Sequence, residues 1–196
     1  MQKSNVKQPR NAQYGFSLIE VLVSIVVLSF GLLGMVGMQV MALQSNRDAK
    51  LQSAAVRLAK EAAELMRDSK NIAVGKAAPA NPFLVSFTGT LPGAASENCF
   101  TISCTTPTKI AEFNIKEWLG RVNSELPSAR ATICYDVSPF DSAGFPQWTC
   151  SNSGDLMVVK LGWTRASTDR SSTGAAAFDK AVRPSIVLPA TAGAGV

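Results

Sequence analysis

One long apolar run dominates the first quarter of the chain. Between Glu20 and Arg47 there is no charged residue, and from Val21 to Val40 only Ser24, Ser29 and Gln39 are polar. At about 1.5 Å of rise per residue, roughly twenty apolar residues cross the ~30 Å hydrocarbon core of a bilayer, so the run predicts a membrane-spanning helix. Beyond Gln44 the pattern becomes amphipathic. Leu51, Leu58 and Leu65 recur every seven residues with Ala54, Ala55 and Ala62 on the same side, while Arg47, Lys50, Arg57, Lys60, Glu61, Glu64 and Arg67 take much of the rest. This second helical portion has one face to bury, and the protein's own sheet is its expected partner. Three heptad positions amid so many small residues are a weak basis for a coiled-coil dimer. The helix should stop between Asn71 and Gly75, ahead of Pro79 and Pro82.

The remainder alternates loops with short elements. Gly75 to Pro107 is rich in Pro, Gly, Ala, Ser and Thr and reads as a connection, with a short strand over Phe83 to Phe87. Ile110, Phe113, Trp118, Leu119 and Val122 predict a second helix ended by Pro127. Strands are expected over Ala129 to Val137 and Leu156 to Trp163, and an edge strand over Pro184 to Leu188. The sum is an α+β fold, one long N-terminal helix packed on a small antiparallel sheet.

Composition narrows the chemistry. The formal charge is +5 with a pI near 9.2, but Lys3, Lys7 and Arg10 stand ahead of the apolar run with no acid beside them. Without those three, 16 basic residues face 14 acidic ones, a net +2 that makes no nucleic-acid footprint. The basic cluster instead fits a cytoplasmic anchor under the positive-inside rule. Histidine is absent, which removes the commonest general base and metal ligand at neutral pH. No nucleophile elbow or phosphate-binding loop occurs, so no enzyme and no cofactor is expected. Asp136, Asp141 and Asp155 read as turn and strand-end residues rather than a carboxylate cluster, and Trp118, Trp148 and Trp163 as core or interface residues.

Cys99, Cys104, Cys134 and Cys150 all follow the apolar run, an even number suited to an oxidising compartment. Sequential pairing is the most economical of three connectivities. Closing the longer loop contributes about 3 kcal/mol in the chain-entropy treatment. A metal site is the rival, but the spacings lack the paired C-x2-C knuckles of zinc.

The only leader-like glycine precedes the apolar run, unlike an ordinary secretory signal, so the run should survive in the mature chain. Gly15-Phe16-Ser17-Leu18-Ile19-Glu20, after a short basic leader and before an uncharged helix, resembles the prepilin class III signal of the type IV pilin family. The resemblance covers about the first 45 residues. It implies that a prepilin peptidase cuts between Gly15 and Phe16 and methylates the new amine of Phe16. It also assigns Glu20 to pair with the N-terminal amine of a neighbouring subunit and fix axial register. The physics of Glu20 agrees, because an ionised carboxylate beside hydrocarbon costs several kcal/mol unless compensated. Many major pilins carry a proline near the place of Gly37; this chain departs from that pattern, and Gly31, Gly34 and Gly37 read first as helix-packing positions.

A Trp-bearing helix running to Leu126-Pro127, the strand with Cys134, and the later Val158-Val159-Lys160-Leu161-Gly162-Trp163 strand resemble the PilV group of minor pilins. The expected organisation is a leader over 1–15, a transmembrane and filament-core helix over 16–46, its amphipathic continuation over 47–72 and a periplasmic head over 73–196. The expected role is that of a minor pilin that helps initiate type IV pilus assembly, with a place at the pilus tip. The implied partners are the prepilin peptidase, other minor pilins, the major pilin, a pilus-tip adhesin and the inner membrane, with no nucleic acid. The alternatives are a minor pseudopilin of a type II secretion system, which shares every feature of the first 45 residues, and a DNA-uptake pilin.

Overall fold

A computed structural model describes residues 15–167 and 171–191. The expected leader, with Lys3, Lys7 and Arg10, lies outside the described residues apart from Gly15. Helix α1 runs over Leu18–Asp68 without interruption. The chain forms two compact units that divide within it, at Asn46 and Arg47.

In the first unit α1 is exposed throughout and carries no charge beyond Glu20. The Ser24 and Ser29 hydroxyls donate to the carbonyls of Glu20 (2.6 Å) and Ile25 (2.7 Å), one turn back. Two of the three polar interruptions are thereby satisfied inside the helix, as a hydrocarbon environment requires.

In the second unit the same helix buries a stripe of Ala55, Leu58, Ala59, Ala62, Ala63 and Met66. Small residues dominate the stripe, with Leu51 and Leu65 packed at its margin. A further turn, α2 (Lys70–Ala73), follows α1 directly. Buried Asn81 then fixes the connection. Its Nδ2 donates to the carbonyls of Ala73 (2.8 Å) and Gly75 (2.7 Å), and its Oδ1 accepts from the Phe83 amide. Holding 81–83 in this turn delays strand β1 to Val85–Thr88, two residues later than the apolar pattern indicated.

Helix α3 (Pro107–Glu125) starts where its sequence dictates. The Thr106 hydroxyl caps the Lys109 amide, and Pro107 occupies the first turn, where its missing N–H costs nothing. It buries Ile115, Trp118, Leu119 and Val122 and ends ahead of Pro127. The buried Trp118 indole donates to the Leu58 carbonyl of α1 at 2.9 Å. Arg57–Glu125 and Arg121–Glu61 ion pairs also join the two helices.

Strands β2 (Arg130–Tyr135), β3 (Met157–Gly162) and β6 (Ile186–Ala190) complete an antiparallel sheet in the order β1-β2-β3-β6. The register pairs Ala131 with Leu161, Ile133 with Val159 and Tyr135 with Met157, and this face joins the α1 and α3 core. β6 begins two residues later than its apolar pattern indicated, with the Ser185 amide just ahead of it donating to the Leu161 carbonyl at 2.8 Å. Strands β4 (Thr164–Ala166) and β5 (Phe178–Lys180), which the apolar pattern did not indicate, form a separate two-stranded sheet, and a 3-10 turn over Gly174–Ala177 precedes β5.

Candidate functional site

The amino-terminal site is built on the first turn of α1. The Ser17 carbonyl accepts from the amides of Glu20 (3.0 Å) and Val21 (3.2 Å), which places Glu20 where a helix favours negative charge. Gly15, Phe16 and Ser17 precede the helix and are exposed. No protein cation meets the Glu20 side chain among the described residues. The 26 positions from Val21 to Asn46 carry no charge, about 39 Å of helix at 1.5 Å per residue. The run has the length and composition of a membrane span, and its apolar residues are exposed. So large an apolar surface needs lipid or other chains to cover it.

The second cluster lies on the sheet face away from the helices. Thr132, Cys134, Val158 and Lys160 alternate onto this face, and all four are buried although helices cover only the other side. The cover is the segment between β2 and β3. A Cys134–Cys150 disulfide staples it to the sheet, with Cα atoms 6.3 Å apart, and Cys99–Cys104 closes a tight loop elsewhere. Under this cover Lys160 Nζ donates to Asp136 Oδ2 (2.6 Å) and to the carbonyls of Gln147 (2.8 Å) and Thr149 (2.9 Å). Asp136 Oδ1 accepts from the amides of Ser138 (3.0 Å) and Ser151 (3.3 Å). Burial pushes the Asp136 carboxyl up, but its bonds from Lys160, Ser138 and Ser151 outweigh this and hold it below the usual aspartate value.

Asp136, Asp141 and Asp155 do not form a cluster, since each has its own cation. Asp141 receives Arg183 at 2.6 Å and Asp155 receives Lys76 at 2.6 Å. Amide bonds from Phe145 foremost, then Arg183, hold Asp141 below its ordinary value. Cys134, Asp136 and Cys150 bring ligand-type atoms within 4.8 Å of one another. Both sulfurs are joined in one disulfide, and both carboxylate oxygens already accept hydrogen bonds, so this group has the chemistry of a structural staple. Trp118 and Trp163 are core residues, whereas Trp148 lies under the Arg130 guanidinium, 4.2 Å from its ring centroid.

Sequence reasoning read Asp136 as a strand-end residue, which it is, but missed its ion pair with Lys160. The available signal was the pairing of Cys134 with Cys150, which folds the intervening segment over the outer face and so buries a lysine that strand alternation alone would leave in water.

Residues 10–36 match the family model described as the prokaryotic N-terminal methylation motif. The match spans Gly15, Phe16 and Glu20; its first five positions lie outside the described residues. No curated protein and no solved structure matches the chain. Together with the long apolar helix and the small antiparallel sheet, the motif supports a type IV pilin-like protein, a subunit of pilin or pseudopilin type. It implies processing by a prepilin peptidase and assembly with other pilins, and it fits anchorage in the inner membrane.

Proposed function

We propose that this chain is a minor pilin of the type IV pilus, a structural subunit that helps initiate assembly and sits at the pilus tip. In this reading residues 1–15 are a leader, cut between Gly15 and Phe16, and Phe16 is then N-methylated. Residues 16–46 hold the chain in the inner membrane and later enter the filament core, 47–72 continue the helix, and 73–196 form a head that is periplasmic before assembly and extracellular afterwards. Other minor pilins, the major pilin and a tip adhesin are its partners.

Glu20 is the observation that carries this reading. It is the one charged side chain between Gly15 and Arg47, it has no cation among the described residues, and it sits within the matched motif. A carboxylate at the edge of hydrocarbon needs an opposite charge. The freed amine of a neighbouring Phe16 supplies one and sets the axial step between subunits. Glu20→Ala should therefore leave membrane insertion intact, by fractionation, while sharply reducing the protein in sheared filaments. Normal incorporation would refute the pairing. Mass spectrometry of the mature chain should find methylated Phe16 at its start. A deletion strain that loses twitching motility but still secretes its enzymes supports the pilus; the reverse phenotype selects the secretion pseudopilin.

A further inference from the structure

β1 is an edge strand, so the N–H and C=O groups of Ser86 and Thr88 point away from β2; the Thr88 carbonyl accepts from the Thr90 amide at 2.9 Å, which leaves the Ser86 N–H and C=O and the Thr88 N–H along this edge. Ser86 and Thr88 are exposed. Two cavities flank this edge and share Leu84 and Val85. One, of about 620 Å³, is mostly apolar and is bounded by Pro82 and Pro92 and by Ile115 and Leu119 of α3. The other, of about 340 Å³, is bounded by Ser86, Arg130, Thr132 and Trp148. Successive side chains of a strand point to opposite faces, so a strand laid against β1 would direct alternate side chains toward the two cavities.

Arg130 selects what enters the second cavity. Its guanidinium stacks on Trp148, its Nε is buried without an acceptor, and no carboxylate meets it among the described residues. Arg57, Arg67, Arg121, Arg165 and Arg183 each meet one. Lys76, also on this cavity, is already engaged by Asp155, and no acidic residue lines the cavity. A guanidinium held flat by an aromatic ring and lacking an acceptor is preorganised for a carboxylate. Burial lowers Arg130 from its ordinary value, a cost that an incoming carboxylate offsets.

We propose that the β1 edge takes an extended segment of another polypeptide as an added strand, with apolar side chains in the α3 cavity and an acidic side chain on Arg130. Main-chain bonds to the edge supply affinity and the two cavities supply selectivity. The site stands on the head alone, so it stands or falls separately from the filament reading.

The test uses the full chain in detergent micelles and a fluorescein-labelled, capped peptide that alternates valine with threonine around one central glutamate. Fluorescence anisotropy should show saturable binding. Glutamine in place of the glutamate, or N-methylation of alternate peptide amides, should each weaken it about tenfold. Arg130→Gln should weaken the glutamate peptide about tenfold and leave the glutamine peptide unchanged. Ser86→Glu, at an exposed position on the same cavity, should give a similar loss by presenting a carboxylate in cis, and it decides the matter if Arg130→Gln does not fold. Absence of saturable binding overturns the proposal. So does equal binding of the N-methylated peptide, or an equal loss for both peptides in Arg130→Gln. Competition by N-acetylglutamate amide at the peptide's own concentration would reveal a site for a free carboxylate and overturn strand docking.

Discussion

Removing the Asp136 carboxylate should be among the most damaging single changes in the head. Asp136→Ala strands the Lys160 ammonium, which is fully buried, with only the Gln147 and Thr149 carbonyls for company. It also deprives the Ser138 and Ser151 amides of their acceptor. Breaking a buried pair from one side costs about 3–5 kcal/mol, because an uncompensated charge stays behind. At about 2–4 °C per kcal/mol for a unit of this size, the melting temperature should fall by about 6–20 °C. Lys160→Met should cost less. The carboxyl it leaves keeps two amide donors. The double variant Asp136→Ala with Lys160→Met should not regain wild-type stability, since two amides and two carbonyls of the covering segment lose their partners. Near-UV circular dichroism of the full chain in detergent, followed through heating, reads all three. A loss under about 1 kcal/mol for Asp136→Ala, or full recovery in the double variant, would show that the pair does not organise the outer layer.

Acid should destabilise the head by a route that can be assigned. Hydrogen bonds from Lys116 and Ser96 hold the Glu112 carboxyl down to about 2. A depressed carboxyl stabilises above its unfolded value near 4.5 and loses that contribution as the pH falls toward 2; Glu112→Gln should flatten the stability profile in that window by lowering stability at neutral pH while leaving stability near pH 2 almost unchanged. The two disulfides should differ in weight. Cys134→Ser with Cys150→Ser opens the longer loop, and urea unfolding should register a loss of about 3 kcal/mol, more than the paired Cys99 and Cys104 changes cost. Gly162→Ala should disturb the outer layer without entering the main core. A Cβ there would stand 2.8 Å from Trp148 Cζ2 and 3.1 Å from Ala181 Cβ, so the near-UV tryptophan signal should change; an unaltered spectrum would mean that the Trp148 contact yields freely.

Most of the frame was legible because it rests on local rules. Apolar length gave α1, and the Thr106-Pro107 start and the Pro127 stop bounded α3. β2 and β3 carry enough β-branched and apolar residues to declare themselves, although burial on both faces blurs their alternation. The strand shift at β1 came from a buried Asn81 turn, which acts through hydrogen bonds that no periodicity records. β4 and β5 are only three residues each, so neither offers a pattern. The Arg130 and Trp148 stack joins residues 18 apart in sequence, across the covering segment, and depends on where the disulfide holds that segment.

The two carboxylates that matter most here separate folding from assembly. Asp136 is buried, but Lys160 and the covering segment meet its needs within the chain, so its role ends with the fold. Glu20 faces the opposite situation. It stands at the head of 26 uncharged residues, and the chain offers it no cation among those described. Folding alone cannot remove that deficit, whereas a second subunit that brings a freed amine can. In the proposed reading, a charge left unmet at the start of an uncharged stretch calls for a neighbouring subunit. If Glu20 were only a membrane-surface residue, glutamine there would serve as well. If the proposed pairing holds, Glu20→Gln should insert normally and fail in filaments much as Glu20→Ala does, because the amide keeps the size and polarity but loses the charge that the neighbour's amine would meet.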